Sequence, residues 1–182
     1  MPTRTEAWRL PPKRERTENS RCLRMNAEGM IWDALRGGLV TRALGLAADL
    51  RVAQALAAGP RSHDALARER GVDADVLYRV LRALASDGIF EETKPGVFGN
   101  TAASEVLARD GWDDLAHLFG GTWLHAVAAL DASGEASFPR VHSDEFWAWL
   151  AAHPDERRRL RSGDGARLAQ PPRSAPERRL AW

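Results

Sequence analysis

The chain has 182 residues, which is room for one domain of ordinary size with short tails. Its 26 basic and 25 acidic residues leave a net charge of +1, so no overall electric field attracts the chain to nucleic acid or to an anionic membrane. A single cysteine excludes an internal disulfide and a cysteine-cluster metal site and fits the reducing cytoplasm, while no apolar run approaches the ~18 residues of a membrane span.

The first 29 residues are predicted to be a disordered N-terminal extension. They lack hydrophobic periodicity and carry Pro11-Pro12 among interspersed Arg and Glu. Met25 and Met30 are alternative starts, which would make this segment a mis-assigned upstream extension. The sequence fits both a disordered extension of the protein and a mis-assigned start.

A strongly helical segment runs from Met30 to about Leu56 and has two apolar stripes. One stripe can pack on the rest of the domain, and the other needs a partner because a small domain offers little to cover it. The alternative is an ordinary core helix with a kink at its glycines. The predicted dimer-interface residues are Trp32, Leu35, Leu39, Val40, Ala43 and Leu46.

Two short helices follow. Ser62 is suited to cap the first helix and Gly71 to end it in the left-handed conformation. The second begins near Asp73 and ends at Gly88. Its predicted buried stripe is Leu77, Val80, Leu81, Leu84 and Ala85.

Two β-prone stretches come next, at 89–93 and 97–99, around a Lys94-Pro95-Gly96 turn. Thr101 then caps a helix that reaches Leu107. The order helix, helix, strand, turn, strand predicts a mainly α winged helix-turn-helix with a small two-stranded β wing and additional dimerisation helices.

The remaining pattern predicts a long helix from Trp112 to about Ala132, with Phe119 and Leu130 among its inward residues. A loop containing Pro139 leads to a helix that begins at a cap on Ser143 or Asp144. Pro154 indicates a break, followed by a short Arg-rich turn.

The region 30–160 resembles the N-terminal dimerisation domain of S-adenosylmethionine-dependent small-molecule O-methyltransferases, including plant-type and bacterial polyketide-tailoring members. The most specific parts of the resemblance are the run LYRVLRAL at 77–84, Gly88-Ile89-Phe90, and the segment from Gly134 through Phe146-Trp147 to His153-Pro154. The resemblance implies a winged-helix domain that interleaves with its twin. It also implies a following Rossmann-like domain that binds the methyl donor and transfers its methyl group to a hydroxyl of an aromatic or polyketide acceptor.

Residues 161–182 carry no pattern of that second domain and are predicted to be a disordered or frameshifted tail. Gly163-Asp164-Gly165 follows no β-branched strand and is rejected as a cofactor loop. The chain is therefore expected to have no catalytic, cofactor-binding or metal-binding residues, to bind no S-adenosylmethionine, and to be inactive alone. The cofactor is implied only for the full-length family.

Several other side chains are of types that can carry chemistry. His117 and His125 lack the i, i+4 spacing of a helical metal site and are read as structural or solvent-facing, and Asp113-Asp114 is read as favourable charge at a helix start. The resemblance adds that the acceptor pocket is partly lined by this region. The candidate lining residues are Trp123, Phe138, Phe146 and Trp147, with plain core packing as the alternative.

A different class of function is a winged-helix transcriptional regulator, which would present Tyr78, Arg79 and Arg82 to DNA. Glu91 and Glu92 offset Lys94 in the wing, so phosphate contacts are few and nucleic acid is not the expected partner. The expected partner is a second copy of the chain, or an intact methyltransferase subunit in a mixed dimer.

Overall fold

The computed structural model describes residues 13–168, with side chains placed for 27–165. Within these residues the backbone forms ten helices and three short strands, so the predicted mainly α winged-helix class is confirmed. No helix in this part of the chain combines the length and the apolar character needed to cross a bilayer. The helices are α1 (Lys13–Asp49), α2 (Val52–Ala55), α3 (His63–Arg70), α4 (Ala74–Ser86), α5 (Ala102–Leu107), α6 (Trp112–Gly120), α7 (Thr122–Ala128), α8 (Ser137–His142), α9 (Phe146–Ala152) and α10 (Pro154–Leu168).

Helix α1 differs from its prediction at both ends. It is helical from Lys13, where disorder was predicted for residues 1–29, because Lys, Arg and Glu favour helix even without an apolar stripe. Residues 1–12 lie outside the described part. At the other end, Arg51 adopts the left-handed conformation with φ 50°, so the predicted helix to Leu56 is divided into α1 and the single turn α2. The chain divides into two units, one ending at Gly38 and one beginning at Leu39.

The helix-turn-helix forms as the sequence predicts. The Ser62 hydroxyl accepts a hydrogen bond from the Ala65 amide at 3.2 Å, and Gly71 ends α3 with φ 67°. The Asp73 carboxylate accepts one from the Val76 amide at 2.8 Å and so caps α4. Helix α4 buries Leu77, Leu81 and Leu84, which join the main hydrophobic core.

The wing contains three antiparallel strands rather than two, in the order β1-β3-β2. Strand β1 (Arg61–Ser62) pairs with β3 (Val97–Asn100), which also pairs with β2 (Phe90–Lys94). Two residues are too short for alternating polarity, so the sequence could not reveal β1. Phe90 and Phe98 are buried and fix the wing to the core.

The predicted helix from Trp112 to Ala132 is divided into α6 and α7 by Gly121. Where α6 ends, Gly120 lies against α1 so closely that a Cβ there would be 2.6 Å from the Thr41 carbonyl oxygen and 2.8 Å from the Gly45 Cα. Phe119 and Leu130, which were predicted to face inward, are exposed. Phe119 precedes the break and Leu130 follows the end of α7, whereas Ala126 within α7 is buried.

The C-terminal elements correct four further predictions. The segment around Pro139 is helix α8 rather than loop, and α9 starts after Glu145 rather than after Ser143 or Asp144. Pro154 is the first residue of α10. Proline suits this position because the first amide of a helix has no hydrogen-bond acceptor within the helix. The predicted Arg-rich turn and the start of the predicted tail at 161 are both helical as far as Leu168, and residues 169–182 lie outside the described part.

Candidate functional site

The first apolar surface lies on α1. In the first unit, Met30, Ile31, Trp32 and Leu35 are exposed, and a shallow groove of about 350 Å³ lies over Ala27, Glu28, Ile31, Trp32 and Leu35. In the second unit, Leu39 is 76% exposed. Large apolar side chains grouped on one helix are typical of a surface that a partner covers.

The six predicted interface residues fall into two groups. Trp32, Leu35 and Leu39 are open to solvent, whereas Val40 and Ala43 are partly buried against the chain's own core and Leu46 is half-buried. A stripe defined by helical spacing alone cannot separate these groups, because Val40 and Ala43 pack against residues of the second unit that are distant in the chain. We call Met30, Ile31, Trp32 and Leu35, which belong to the first unit, the α1 apolar face; Leu39 belongs to the second unit.

A second apolar surface lies on α6 to α9. Its exposed side chains are Phe119, Val127, Leu130, Val141 and Trp147. Beside them is a groove of about 210 Å³, which we call the aromatic groove. It is lined by Trp123, Ala126, Val127, Leu130, Ser137, Phe138 and Phe146.

The aromatic groove brings together three of the four predicted pocket residues. The Phe138 and Phe146 rings meet edge to face with centroids 5.2 Å apart, and the Trp123 ring lies 6.5 Å from Phe146. Trp147 does not line the groove and is 74% exposed. The Trp147 ring meets the Phe146 ring edge to face, with centroids 4.9 Å apart, so it lies next to the groove without lining it.

A charged cluster that sequence reasoning missed lies where α1, α6 and α10 meet. The His117 Nδ1 is 2.5 Å from Asp49 Oδ1, and its Nε2 is 2.9 Å from Glu156 Oε1. We call these three residues the charged clasp. They are separated by 68 and 39 positions in the chain, so no local spacing could have grouped them, and His117 has the structural role that was one of its two predicted roles.

The clasp changes the titration of its histidine. Burial is the largest single influence and lowers the pKa of His117, but hydrogen bonds to Asp49 and Glu156 and the negative charge of Asp49 together outweigh it. The net result is a pKa raised above the ordinary value of 6.5, with the Arg159 charge acting in opposition. His117 therefore keeps its proton to a higher pH than an ordinary histidine does.

Further ion pairs surround the clasp. Asp113 and Asp114 lie in the first turn of α6, as predicted, and pair with Arg51 at 3.6 Å and Arg159 at 3.0 Å. Together with Asp49, Asp155 and Arg158 they line an open cavity of about 580 Å³. Among the described residues, no group of three or more His, Cys, Asp or Glu side chains is arranged to hold a metal ion.

The outward face of α4 is poorly suited to DNA. Tyr78 is half-buried, with its ring 4.8 Å from His63 and 6.0 Å from Phe98, and the Arg82 guanidinium lies 5.8 Å above it. Arg79 and Arg82 are exposed, but Asp75 on the same helix and Glu91 in the wing are exposed too. The face therefore lacks the clustered basic patch that phosphate contacts require.

The family model and the curated relatives both match the O-methyltransferases. Residues 32–110 match the family model of the O-methyltransferase dimerisation domain. Phenazine O-methyltransferase PhzM of Lysobacter antibioticus is 32% identical over 145 residues, which are 76% of this chain and 42% of that protein. The chain thus spans about two fifths of the length of this curated relative.

Solved structures that resemble this chain include methyltransferases. The crystal structure of LaPhzM superposes with a TM-score of 0.72 at 29% identity, covering 78% of this chain and 45% of that one. CalO1, a methyltransferase in calicheamicin biosynthesis solved in its SAH-bound form, gives a TM-score of 0.61 at 25% identity over 80% of this chain and 45% of that one. None of these similarities supports the alternative of a DNA-binding regulator.

Proposed function

Because residues 32–110 belong to the O-methyltransferase dimerisation-domain family, we propose that this chain pairs with a second copy of itself through its exposed apolar side chains. These are the α1 apolar face in the first unit, and Leu39 and the exposed apolar side chains of α6 to α9 in the second. The observation that carries the proposal is the exposure of the four large apolar side chains of the α1 apolar face. A dimerisation domain requires such a surface, and the hydrophobic effect supplies its driving force.

Substituting the exposed leucines of α1 tests this surface. We expect Leu35→Glu and Leu39→Glu each to weaken self-association at least about tenfold, since each would place a charge in an apolar contact. Sedimentation equilibrium over a range of concentrations measures the dissociation constant. Circular dichroism checks that the variants keep their helix content.

The matched control is Val76→Glu. Val76 is a half-exposed apolar residue of α4 and is not one of the residues proposed for the dimer contact. It should leave the dissociation constant unchanged. A dimer that tolerates both leucine variants would refute the assigned surface. A wild-type chain that stays monomeric would refute self-pairing and favour pairing with an intact methyltransferase subunit.

The proposed activity belongs to a complete enzyme that contains such a domain. Such an enzyme transfers a methyl group from S-adenosylmethionine to a hydroxyl of a small aromatic acceptor, and the chemistry in the names of the relatives supports this class. No residue between 13 and 168 is assigned to the donor or to a catalytic base, and the sheet described there is antiparallel rather than the parallel sheet expected to bind the donor. We propose that this part of the chain contributes assembly and one wall of the acceptor site.

For that wall we propose Trp123, Phe138 and Phe146, without Trp147. Their rings form one apolar surface that suits a planar aromatic ligand. We expect phenazine, the ring system in the name of one relative, to quench tryptophan fluorescence in a saturable way. Phe138→Leu should weaken that binding severalfold, because it removes a ring and leaves an aliphatic side chain.

The control for this titration is Trp147→Phe, which changes an aromatic side chain outside the groove. It should leave the affinity for phenazine unchanged, although the size of the signal will differ. Equal loss in Phe138→Leu and Trp147→Phe, or no saturable binding to the wild type, would leave core packing as the role of these rings. In parallel calorimetry, S-adenosylmethionine is expected to give no binding heat.

A further inference from the structure

The charged clasp joins three helices at one point. Asp49 is the last residue of α1, His117 lies in α6, and Glu156 lies in the first turn of α10. The side chains of His117 and Glu156 are only 22% and 19% exposed, and Asp49 is 34% exposed. An ion pair in such a place is less screened than one on the open surface.

We propose that the charged clasp is a pH-sensitive fastening, which holds α10 to α6 and to the end of α1 while His117 is protonated and loosens when the proton is lost. The proposal concerns this chain's own fold and does not depend on the proposed methyl transfer or on dimerisation.

The reason is the number of N–H donors on the imidazole. A protonated ring has two, one for Asp49 at Nδ1 and one for Glu156 at Nε2. A neutral ring has only one, so the other nitrogen would face a carboxylate oxygen with lone pair against lone pair. Deprotonation therefore removes one of the two contacts and makes the other weaker.

The direction with pH follows from the raised pKa. A histidine whose pKa is higher in the folded state contributes stability that is fully present below its unfolded value of about 6.5 and is lost as the pH rises through the folded value. Both hydrogen bonds of His117 are therefore present in mildly acidic solution. One of them is lost on the alkaline side of pH 6.5.

Charged groups from three parts of the chain surround His117. From α10 these are Asp155, Glu156, Arg158 and Arg159, from α6 Asp113 and Asp114, and from α1 and the turn after it Asp49 and Arg51. Carboxyl and guanidinium groups in general titrate far from pH 6.5, so the imidazole is the side chain whose charge changes in this range. The hydroxyl of Thr122, 3.5 Å from Glu156, adds a neutral donor.

Opening of the clasp would loosen α10 without removing it entirely. Arg159 still pairs with Asp114 at 3.0 Å, and Gly163 still lies tightly against the Leu115 side chain. The expected consequence is a lower local stability of α10.

Hydrogen exchange and histidine NMR test the proposal on the full chain. We expect His117 to titrate above pH 6.5, and the protection factors of α10 amides, corrected for intrinsic exchange, to fall from pH 6 to pH 9 while those of β2 and β3 do not. His117→Gln should abolish this pH dependence, because its amide does not titrate. Glu156→Gln should lower the pKa of His117 and keep the fold.

The matched control is His125→Gln, which removes an exposed histidine of α7 and should preserve the wild-type pH dependence. The proposal is overturned if His117 titrates at or below 6.5, or if α10 loosens with pH equally in His117→Gln and in the wild type. If His117→Gln does not fold, the Glu156→Gln comparison decides: an unchanged pKa of His117 overturns the clasp.

Discussion

Gly120→Ala is expected to lower the free energy of unfolding by about 1–3 kcal/mol, towards the upper end of the range for overpacking in a tight core. The added Cβ would lie 2.6 Å from the Thr41 carbonyl oxygen and 2.8 Å from the Gly45 Cα. Both atoms belong to the backbone of α1, so no side-chain rotation relieves the clash. The Arg42 guanidinium, which donates to the Gly120 carbonyl at 3.0 Å, would shift with it.

Urea unfolding monitored by circular dichroism measures this change, with all variants at one protein concentration because association shifts apparent stability. The matched control is Gly165→Ala in α10, where an added Cβ meets nothing within 4 Å. That variant should be as stable as the wild type or gain about 0.5–1 kcal/mol from reduced backbone entropy. If both alanine variants behave alike, α1 and α6 do not cross as described.

Leu81→Ala is expected to cost about 2–5 kcal/mol, because the leucine lies at the centre of the core and its removal leaves a cavity. Leu81 is fully buried on α4, in the same cluster as Leu66, Leu84 and Phe98. Against a total stability of about 5–15 kcal/mol for an ordinary domain, such a loss would leave a marginally folded protein.

The same unfolding experiment, with Val76→Ala as control, separates burial from helix propensity. Val76 lies on the same helix but is 50% exposed, so its truncation should change stability by less than about 0.5 kcal/mol. Equal losses in the two variants would mean that α4 does not present the Leu81 face to the core.

The winged helix could be predicted from the sequence because its signals are local. Ser62 and Thr101 accept the capping hydrogen bonds that their positions predict, Thr101 forms a capping box with Ser104, and Asp73, near which the second helix was predicted to begin, caps it. The buried leucines of α4 follow the helical period. Each of these features depends on residues fewer than ten positions apart.

The errors arose where distant parts of the chain decide the structure. The long predicted helix is divided at Gly121, and the residue before it, Gly120, packs against Gly45, 75 positions earlier; nothing in the local pattern indicates that contact. The charged clasp likewise joins side chains from three helices. The sequence pattern grouped Trp147 with Phe146 as pocket residues, although only Phe146 lines the groove and Trp147 is exposed beside it.

The crossing of α1 and α6 also has a consequence for how the sequence can drift over generations. Every missense change of a glycine codon adds at least a Cβ, and at either Gly45 or Gly120 that atom would fall within 3 Å of the facing backbone. A larger residue at one position is not rescued by a smaller one at the other, because glycine is already the smallest. We therefore expect selection to act against substitutions at both codons, because each glycine is needed for the close packing of the two helices.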